Sequence, residues 1–279
     1  MTEECRKKIT DSQYADFIVN YNGDMRKFDI FGSDCINIIN YEFGIVHVPT
    51  SSLTRYSIGD YGYTVIPKCF GLTDSTSLEA SGVARVQNLP NFALRGQGIL
   101  VGIVDTGIDY RDNIFINADN TTKIVSIWDQ TIDSENAYPT DIYYGTEYSR
   151  DQINRALQNE NPLTIVPSND DIGHGTFLAG IAAGGEDKKN DFRGVVPDAE
   201  LVVVKLKKAK NYLKEFFNIP EEALCYQEND IMFGVKYITD VAKKLNRPIA
   251  LCIGIGTNQG SHDGNGNLEQ YLETLGDTI

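Results

Sequence analysis

The chain has 279 residues, a formal net charge of −14 at pH 7 and a hydrophobic fraction of 41%. This length suffices for one large α/β domain and a small additional one. The acidic balance argues against binding to nucleic acid or to an anionic membrane surface, and no stretch has the roughly 20 apolar residues of a membrane span. Because the N-terminus shows no leader peptide, the sequence predicts synthesis in the cytoplasm.

The cysteines indicate neither a disulfide framework nor a metal site. There are five, scattered along the chain, and none lies in a Cys-x-x-Cys pair. Cys252 lies in an apolar run and is interpreted as a core residue. The segment 263–274 imitates the opening of a calcium loop but lacks the glycine and the final glutamate. We therefore expect no metal and no cofactor.

The N-terminal region is predicted to be a small α+β module. Its short apolar runs are separated by polar and glycine-containing turns, a pattern that favours strands. These runs are 17–19, 36–39, 45–48 and 63–66. The polar stretch 73–81 suits a linker. We therefore predict a small module with its linker over residues 1–80 and a larger domain over 81–279.

The larger domain is predicted to alternate buried strands with helices. Four apolar runs have the character of strands covered on both faces, at 99–104, 123–127, 201–204 and 249–253. Apolar residues between 231 and 245 recur at helical spacing, with Asn229 or Asp230 as the cap and Asn246-Arg247-Pro248 as the end. A final helix is predicted from Asn267 to near Gly276. The alternation implies α/β architecture with a three-layer, mostly parallel sheet.

One basic run interrupts this pattern. It covers residues 205–210 and contains four lysines. A charge run of this kind usually lies on a solvated surface, and we interpret it so rather than as a docking patch.

Asp105 lies where an open parallel sheet places functional groups, directly after the buried run 99–104. Thr106-Gly107 supplies a turn that exposes it. An isolated Asp-Thr-Gly is more often a turn or a helix cap. Aspartic proteases also carry this tripeptide, but they need two copies and this chain has one.

His174 is the stronger signal. Gly173 and Gly175 flank it, so the backbone can approach closely and the ring is unobstructed. The small-residue run 176–183 predicts a packed helix that anchors the imidazole. A lone histidine is more often structural, but these flanks and the upstream Asp105 indicate catalysis. His47 and His262 have no such context, and both are interpreted as structural.

Both segments resemble the Asp and His motifs of the subtilisin-like serine proteases, the subtilases, whose triad runs in the order Asp, His, Ser. The stretch 194–199 is similar to the Gly-Val-Ala-Pro segment of that family. Gly254-Ile255-Gly256 occupies the place of the Ser-Leu-Gly substrate-binding segment, with glycine where serine is usual. The segments 74–82, 121–132 and 256–264 resemble the Csp-type spore-germination proteases of clostridia.

The resemblance implies a serine endopeptidase with an incomplete subtilisin-like sheet, preceded by an α+β prodomain that stays in the active-site cleft until it is cut. Asp105 would orient His174, the general base, and Gly254, Ile255 and Gly256 would bind substrate. The family's oxyanion asparagine and Gly-Thr-Ser nucleophile lie beyond that glycine segment. Ser261 alone follows His174, and its neighbours at 262–263 cannot converge with it as a triad. The chain by itself is therefore predicted to be inactive.

Three functions remain open from the sequence. The first is the N-terminal part of an endopeptidase made as a zymogen, which would activate a spore-cortex-lytic enzyme during germination. Its partners would be a protein or peptide substrate, its own prodomain and other germination proteins, and it would become spore-associated. The second is a catalytically inactive relative that acts as a binding or regulatory protein. The third is a protease inhibitor formed by residues 12–80 alone.

Overall fold

The computed structural model describes residues 1–54, 60–72, 94–190 and 192–276. The predicted linker and the predicted boundary between residues 80 and 81 lie outside these ranges. The described α-helices are α1 (Glu3–Thr10), α2 (Arg150–Leu157), α3 (His174–Ala183), α4 (Asn211–Phe216), α5 (Glu228–Leu245) and α6 (Asn267–Gly276). The described strands are β1 (Tyr14–Asn20), β2 (Ile36–Ile38), β3 (Phe43–Pro49), β4 (Cys69–Leu72), β5 (Leu100–Asp105), β6 (Ile124–Asp129), β7 (Thr146–Ser149), β8 (Glu200–Lys205), β9 (Tyr226–Gln227), β10 (Ile249–Ile253) and β11 (Ile255–Gly256).

The N-terminal region contains an antiparallel sheet in the order β1-β3-β2. Three of its predicted strands are found at the expected places, and the fourth is wrong. Residues Tyr63–Val65 form a 3-10 helix. Gly62, at φ 85°, turns the chain before it, and Pro67 lacks the N–H that a strand ladder needs.

A disulfide joins Cys5 in α1 to Cys35 just before β2, with an S–S distance of 1.97 Å. The expectation of no disulfide is wrong for this pair, because tertiary packing brings together two cysteines that are 30 residues apart. Helix α1 itself was not predicted. The hydroxyl of Thr2 caps it by accepting a hydrogen bond from the N–H of Cys5.

The central sheet has the order β10-β5-β8-β6-β7. Strands β10, β5, β8 and β6 run parallel, and β7 is antiparallel to β6. The mostly parallel sheet predicted from the sequence is therefore confirmed. Its antiparallel edge strand β7 was not foreseen, because its four residues, Thr-Glu-Tyr-Ser, are largely polar.

Helices cover both faces of this sheet. In β5, Leu100 and Val104 pack in one apolar cluster with α5, whereas Val101 and Ile103 pack in another with α3. Alternate residues of a strand point to opposite faces, so one strand serves both clusters. Helix α5 comes so close that a Cβ on Gly102 would lie 2.4 Å from Cγ2 of Ile238. The architecture is therefore three-layered.

A third, small sheet connects the two regions. Strand β4 lies between β9 and β11 and is antiparallel to both. Phe70 pairs with Tyr226 on one side, and Leu72 pairs with Ile255 on the other. The last described strand of the N-terminal region is thus the central strand of a sheet whose two edges belong to the larger domain.

The basic run 205–210 is not the solvated surface that its charge suggested. Lys207 is 9% exposed and Lys210 is 6% exposed. Lys207 forms an ion pair with the buried Asp230, and Lys210 forms one with the buried Asp16, at 2.8 Å. The run follows a central strand and passes between the two regions, where buried carboxylates require cations.

Two helix starts also differ from the prediction. Helix α5 begins at Glu228, so Gln227 precedes it and the predicted caps lie inside its first turn. Helix α3 begins at His174 itself. No helix within the four described ranges is both long and apolar enough to cross a membrane.

Candidate active site

Asp105 and His174 meet at the carboxyl end of the parallel sheet. Asp105 is the last residue of β5 and is fully buried. Its Oδ1 accepts hydrogen bonds from Nδ1 of His174 at 2.8 Å and from the N–H of Thr106 at 2.7 Å. An ionised carboxylate can only accept, so Nδ1 of His174 carries the proton. The structure thus brings together the two residues that the sequence singled out.

The contact depends on a close approach between two loops. A Cβ on Gly175 would lie 2.3 Å from the carbonyl oxygen of Gly107, which no side chain could tolerate. Gly173, at φ 87°, turns the chain into α3. These glycines allow the start of α3 to pack directly on the turn after β5.

Asp170 holds the same two loops together, and the sequence reading missed it. Its Oδ1 accepts from the hydroxyl of Thr106 at 2.8 Å and from the N–H of Gly173 at 2.9 Å. Its Oδ2 accepts from the N–H of Thr176 at 2.8 Å and from the hydroxyl of the same residue at 2.7 Å. A carboxylate shortly before a predicted helix start was the available signal. Asp170 therefore connects the Asp105 turn to the His174 helix.

The two carboxylates differ in their electrostatics. Burial raises the pKa of Asp105, and the hydrogen bond from His174 opposes that rise. Burial would also raise the pKa of Asp170, but the hydrogen bonds from Thr176, Gly173 and Thr106 outweigh burial and lower the pKa. The hydrogen bonds to Asp170 thus keep its carboxylate ionised. The cost of burying the charge of Asp105 is offset chiefly by the hydrogen bond from the imidazole.

Gly254 lies against both members of the pair. A Cβ there would be 2.0 Å from Cδ1 of Leu178, 2.3 Å from Oδ2 of Asp105 and 3.3 Å from Cε1 of His174. Oδ2 of Asp105 is buried and has no hydrogen-bond partner in the described part of the chain. The glycine thus allows the segment that follows β10 to pass directly beside the carboxylate.

Strand β4 lies beside this pair, between β11 and β9. Ile255 and Gly256 form β11, which pairs with Leu72 and Gly71 of β4. Of the three residues predicted to bind substrate, Ile255 and Gly256 therefore hold an extended segment, and Gly254 lies between them and Asp105. Strand β9, Tyr226–Gln227, which pairs with the other side of β4, was not predicted, because two residues carry no recognisable strand pattern.

The other candidate residues lie apart from this arrangement. Ser261 is exposed in a loop, where its hydroxyl bonds to the carboxylate of Asp263. His262 is also exposed. Within the described ranges no group of three or more His, Cys, Asp or Glu residues could hold a metal ion.

His47 belongs to a buried network between the two regions. Its Nδ1 lies 2.7 Å from Oδ1 of Asp16. Asp16 also accepts hydrogen bonds from Lys210 at 2.8 Å and from the side-chain amide of Gln227 at 2.7 Å. The Nε2 atom of His47 is buried with no partner among the described residues.

Comparisons with known proteins agree with this geometry. The sequence model of the subtilase family matches residues 96–218. The PII-type proteinase of Lacticaseibacillus paracasei is 27% identical over 140 residues, which cover 47% of this chain and 7% of that protein. The PI-type proteinase of Lactococcus lactis subsp. cremoris is 26% identical over 140 residues, with the same two shares.

A solved structure is similar over a larger part of the chain. It is the CspB protease of Clostridium perfringens, with 36% sequence identity and a TM-score of 0.57. The similarity covers 71% of this chain and 37% of that one. The chain thus spans little more than a third of this solved relative and a small fraction of the curated ones. The Asp-His pair, the parallel sheet and these matches agree that residues 96–218 match the subtilase family and that the chain is similar to the CspB protease.

Proposed function

We propose that the protein is a serine-type endopeptidase of the Csp type, made with an N-terminal prodomain that fills its own substrate groove. The observation that carries the proposal is the 2.8 Å hydrogen bond between Asp105 and His174 at the carboxyl ends of the parallel strands. Beside it, β11 offers its backbone to an extended chain. A general base with its orienting carboxylate, next to an edge that binds an extended chain, supplies two of the parts that triad-dependent peptide hydrolysis requires.

The chemistry follows from the orientation of the imidazole. With Nδ1 on Asp105, Nε2 would accept the proton of a serine hydroxyl as its oxygen attacks the scissile carbonyl carbon. The same proton would pass to the departing amine when the C–N bond breaks. Asp105 would stabilise the imidazolium that exists between these steps, and Asp170 would keep the two loops in register.

The nucleophile is proposed to lie in a C-terminal part of the domain beyond Gly256. Ser261 is the single serine after His174, and its hydroxyl is engaged with Asp263 in an exposed loop. The 279 residues alone should therefore show no triad-dependent proteolysis. A fluorophosphonate probe should label the protein only when the downstream reading frame is included, and His174→Ala should abolish that labelling.

Two results would contradict this assignment. Stoichiometric labelling of the 279-residue chain would show a nucleophile within it. A native reading frame without a downstream Gly-Thr-Ser would favour the alternative, a binding or regulatory protein that has lost catalysis. That alternative gains support from Gly254, since the glycine leaves Oδ2 of Asp105 without a partner in the described ranges.

The prodomain assignment rests on β4 and on the contacts behind it. Phe70 is 8% exposed and packs in the main core of the larger domain. Lys68 forms an ion pair with the buried Glu228 at 3.2 Å, and Asp16 forms one with Lys210. After a single cut in the 73–93 segment, the N-terminal part should still co-elute with the remainder in size-exclusion chromatography.

Phe70→Ala should weaken this association, because it removes a buried ring from the central strand of the small sheet. Tyr41→Ala is the matched control, since Tyr41 is an aromatic residue of the same region with 73% exposure. Separation of the two parts of the wild-type protein at micromolar concentration would exclude the prodomain assignment. The substrate is proposed to be a germination protein such as a cortex-lytic enzyme precursor, and the location spore-associated.

A further inference from the structure

Two free cysteines face each other across the junction between β4 and the larger domain. Cys69 begins β4, and Cys225 directly precedes β9. In the ladder between these strands Cys69 pairs with Gln227. Cys225 lies two positions before Gln227, so the side chains of Cys69 and Cys225 share one face of the sheet.

The two thiols are in contact and enclosed. A hydrogen bond joins the side chains of Cys69 and Cys225. Their exposures are 6% and 5%, and both lie in one apolar cluster with Ile66, Ala209 and Leu213. An S–S bond of about 2.05 Å requires the two sulfur atoms to move together, and the ladder register already places both side chains on the same face of the sheet.

The surroundings favour thiol chemistry at one of the two sulfur atoms. The hydrogen bond from Cys69 lowers the pKa of Cys225 to about 7, and the charge of Lys214 adds to this effect. The same hydrogen bond and burial raise the pKa of Cys69. Lys214 is fixed by the carbonyl oxygens of Glu221 at 2.7 Å and of Ala223 at 2.8 Å. One sulfur is thus suited to attack and the other to resolve the intermediate.

We propose that Cys69 and Cys225 form a disulfide under oxidising conditions and so tie the groove-filling strand β4 covalently to the larger domain. The disulfide proposal rests on the proposed function only for its biological role, which would be to keep the prodomain in the cleft after the segment 73–93 is cut. The pair Cys5 and Cys35 shows that this fold already brings two of its other cysteines to bonding distance.

The oxidant is a low-molecular-weight disulfide such as oxidised glutathione. The thiolate of Cys225 attacks one of its sulfur atoms, and one thiolate leaves. Cys69 gives up its proton and attacks Sγ of Cys225 in the mixed disulfide, and the second thiolate leaves. The protons of the two cysteines end on the two expelled thiolates, and two electrons pass to the small disulfide. The protein loses two hydrogen atoms.

The test is a peptide map of the full chain. The reduced protein is refolded in a mixture of reduced and oxidised glutathione, and a second sample is oxidised in the folded state with diamide. After alkylation of the remaining thiols, trypsin should release peptide 69–85 linked to peptide 215–236. Reduction should separate the two peptides. The linked peptides of Cys5 and Cys35 show within the refolded sample that folding was successful.

Three variants test whether the disulfide pairing is specific. Cys69→Ser and Cys225→Ser should each abolish the linked pair. Cys252→Ser is the matched control, because Cys252 lies on β10 against Ile103, away from this junction, and the pair should persist. Once the 73–93 segment is cut, the N-terminal part should leave the remainder in urea only after reduction.

Two outcomes would overturn the proposal. One is alkylation of both Cys69 and Cys225 in the refolded and in the diamide-treated sample. The other is pairing of either residue with Cys252. Neither outcome bears on the endopeptidase, because the peptide map does not depend on proteolysis by this protein. A negative result in the fluorophosphonate labelling experiment would likewise leave the disulfide proposal unaffected.

Discussion

At the scale of single residues, the site depends on a few acceptors and on glycines that permit close approach. Asp105 accepts a hydrogen bond from Nδ1 of His174. Asp170 accepts hydrogen bonds from both loops that carry this pair. Because the hydrogen bonds of Asp170 go to Thr106, Gly173 and Thr176 and not to His174 or Asp105, it is a positioning residue. The effect of losing it should therefore appear first in stability and in the imidazole environment.

Asp170→Asn should lower the free energy of unfolding by about 1–3 kcal/mol, because part of a half-buried set of donors loses its charged acceptor. The low-field proton signal of Nδ1 of His174 should shift or broaden as the two loops lose register. Asp171→Asn is the control, since the side chain of Asp171 is 80% exposed, and it should change stability by less than about 0.5 kcal/mol. Urea denaturation and proton NMR provide the measurements, and equal effects of the two substitutions would contradict the role of Asp170.

The pH dependence of the Asp170 contribution has a definite sign. The pKa of Asp170 is lowered in the folded protein, so the unfolded chain binds a proton first as the pH falls. The stabilisation is therefore fully present above the ordinary aspartate range, near pH 4, and is lost below it. Asp170→Asn should flatten the acid limb of a stability profile, whereas Asp171→Asn should leave that limb unchanged.

Gly254→Ser tests the glycine that replaces the usual serine. The added Cβ would meet Leu178 and Oδ2 of Asp105, and overpacking of this kind costs about 1–3 kcal/mol. The serine hydroxyl could offset part of this cost by donating to Oδ2 of Asp105. A stability equal to or above that of the wild type would show that the segment can move away from Asp105, and thermal unfolding provides the measurement.

At the scale of elements, strand β5 and helix α5 pack closely against each other at Gly102. Gly102→Ala should destabilise the protein by about 1–3 kcal/mol, because its Cβ would lie 2.4 Å from Cγ2 of Ile238. Gly71→Ala is the matched control, since a Cβ there meets nothing within 4 Å and Gly71 is also in a strand. Similar midpoints in urea for the two variants would contradict the packing argument.

The strands and helices that carry clear periodicity were predictable, and those that depend on tertiary contacts were not. The runs 99–104 and 201–204 are strands because both of their faces are buried in apolar clusters, whereas 249–253 is an edge strand whose residues are half-buried or, at Ala250, exposed. Strand β4 has only four residues, and its partners lie more than 150 positions away in the chain, at Gln227 and Gly256. Short elements of this kind have no local signal.

The candidate site was predictable in part for the same reason. Asp105 and His174 lie in motifs whose glycines and flanking elements can be read locally. Asp170 has no pattern of its own beyond its place before a helix. The burial of Lys207 and Lys210 could not be read either, because their partners Asp230 and Asp16 come from a distant helix and from the N-terminal region.

At the scale of the whole molecule, the two regions are joined by buried charges that respond to pH. His47 is 1% exposed. Burial lowers its pKa and outweighs the hydrogen bond to Asp16, whose charge Lys210 already compensates. Because the folded pKa lies below the unfolded value, the unfolded chain binds the proton first, and stability falls as the pH drops below about 6.5.

His47→Gln should remove this loss between pH 7 and pH 5.5, although its stability at pH 7 should be lower because the contact with Asp16 changes. His262→Gln should retain the wild-type slope, since His262 lies in an exposed loop. Urea midpoints measured across this pH range provide the test. A wild-type slope in His47→Gln would assign the pH response to another group.

The central position of β4 has a consequence for any peptide added from solution. The strand belongs to the same chain as the strands β9 and β11 with which it pairs, so its local concentration is that of a tethered ligand, on the order of millimolar. A free peptide with the sequence of β4 must exceed that value before it displaces the resident strand. Competition by a free peptide should become measurable only after the connecting segment is cut. The cut replaces the intramolecular contact of β4 with a bimolecular binding equilibrium.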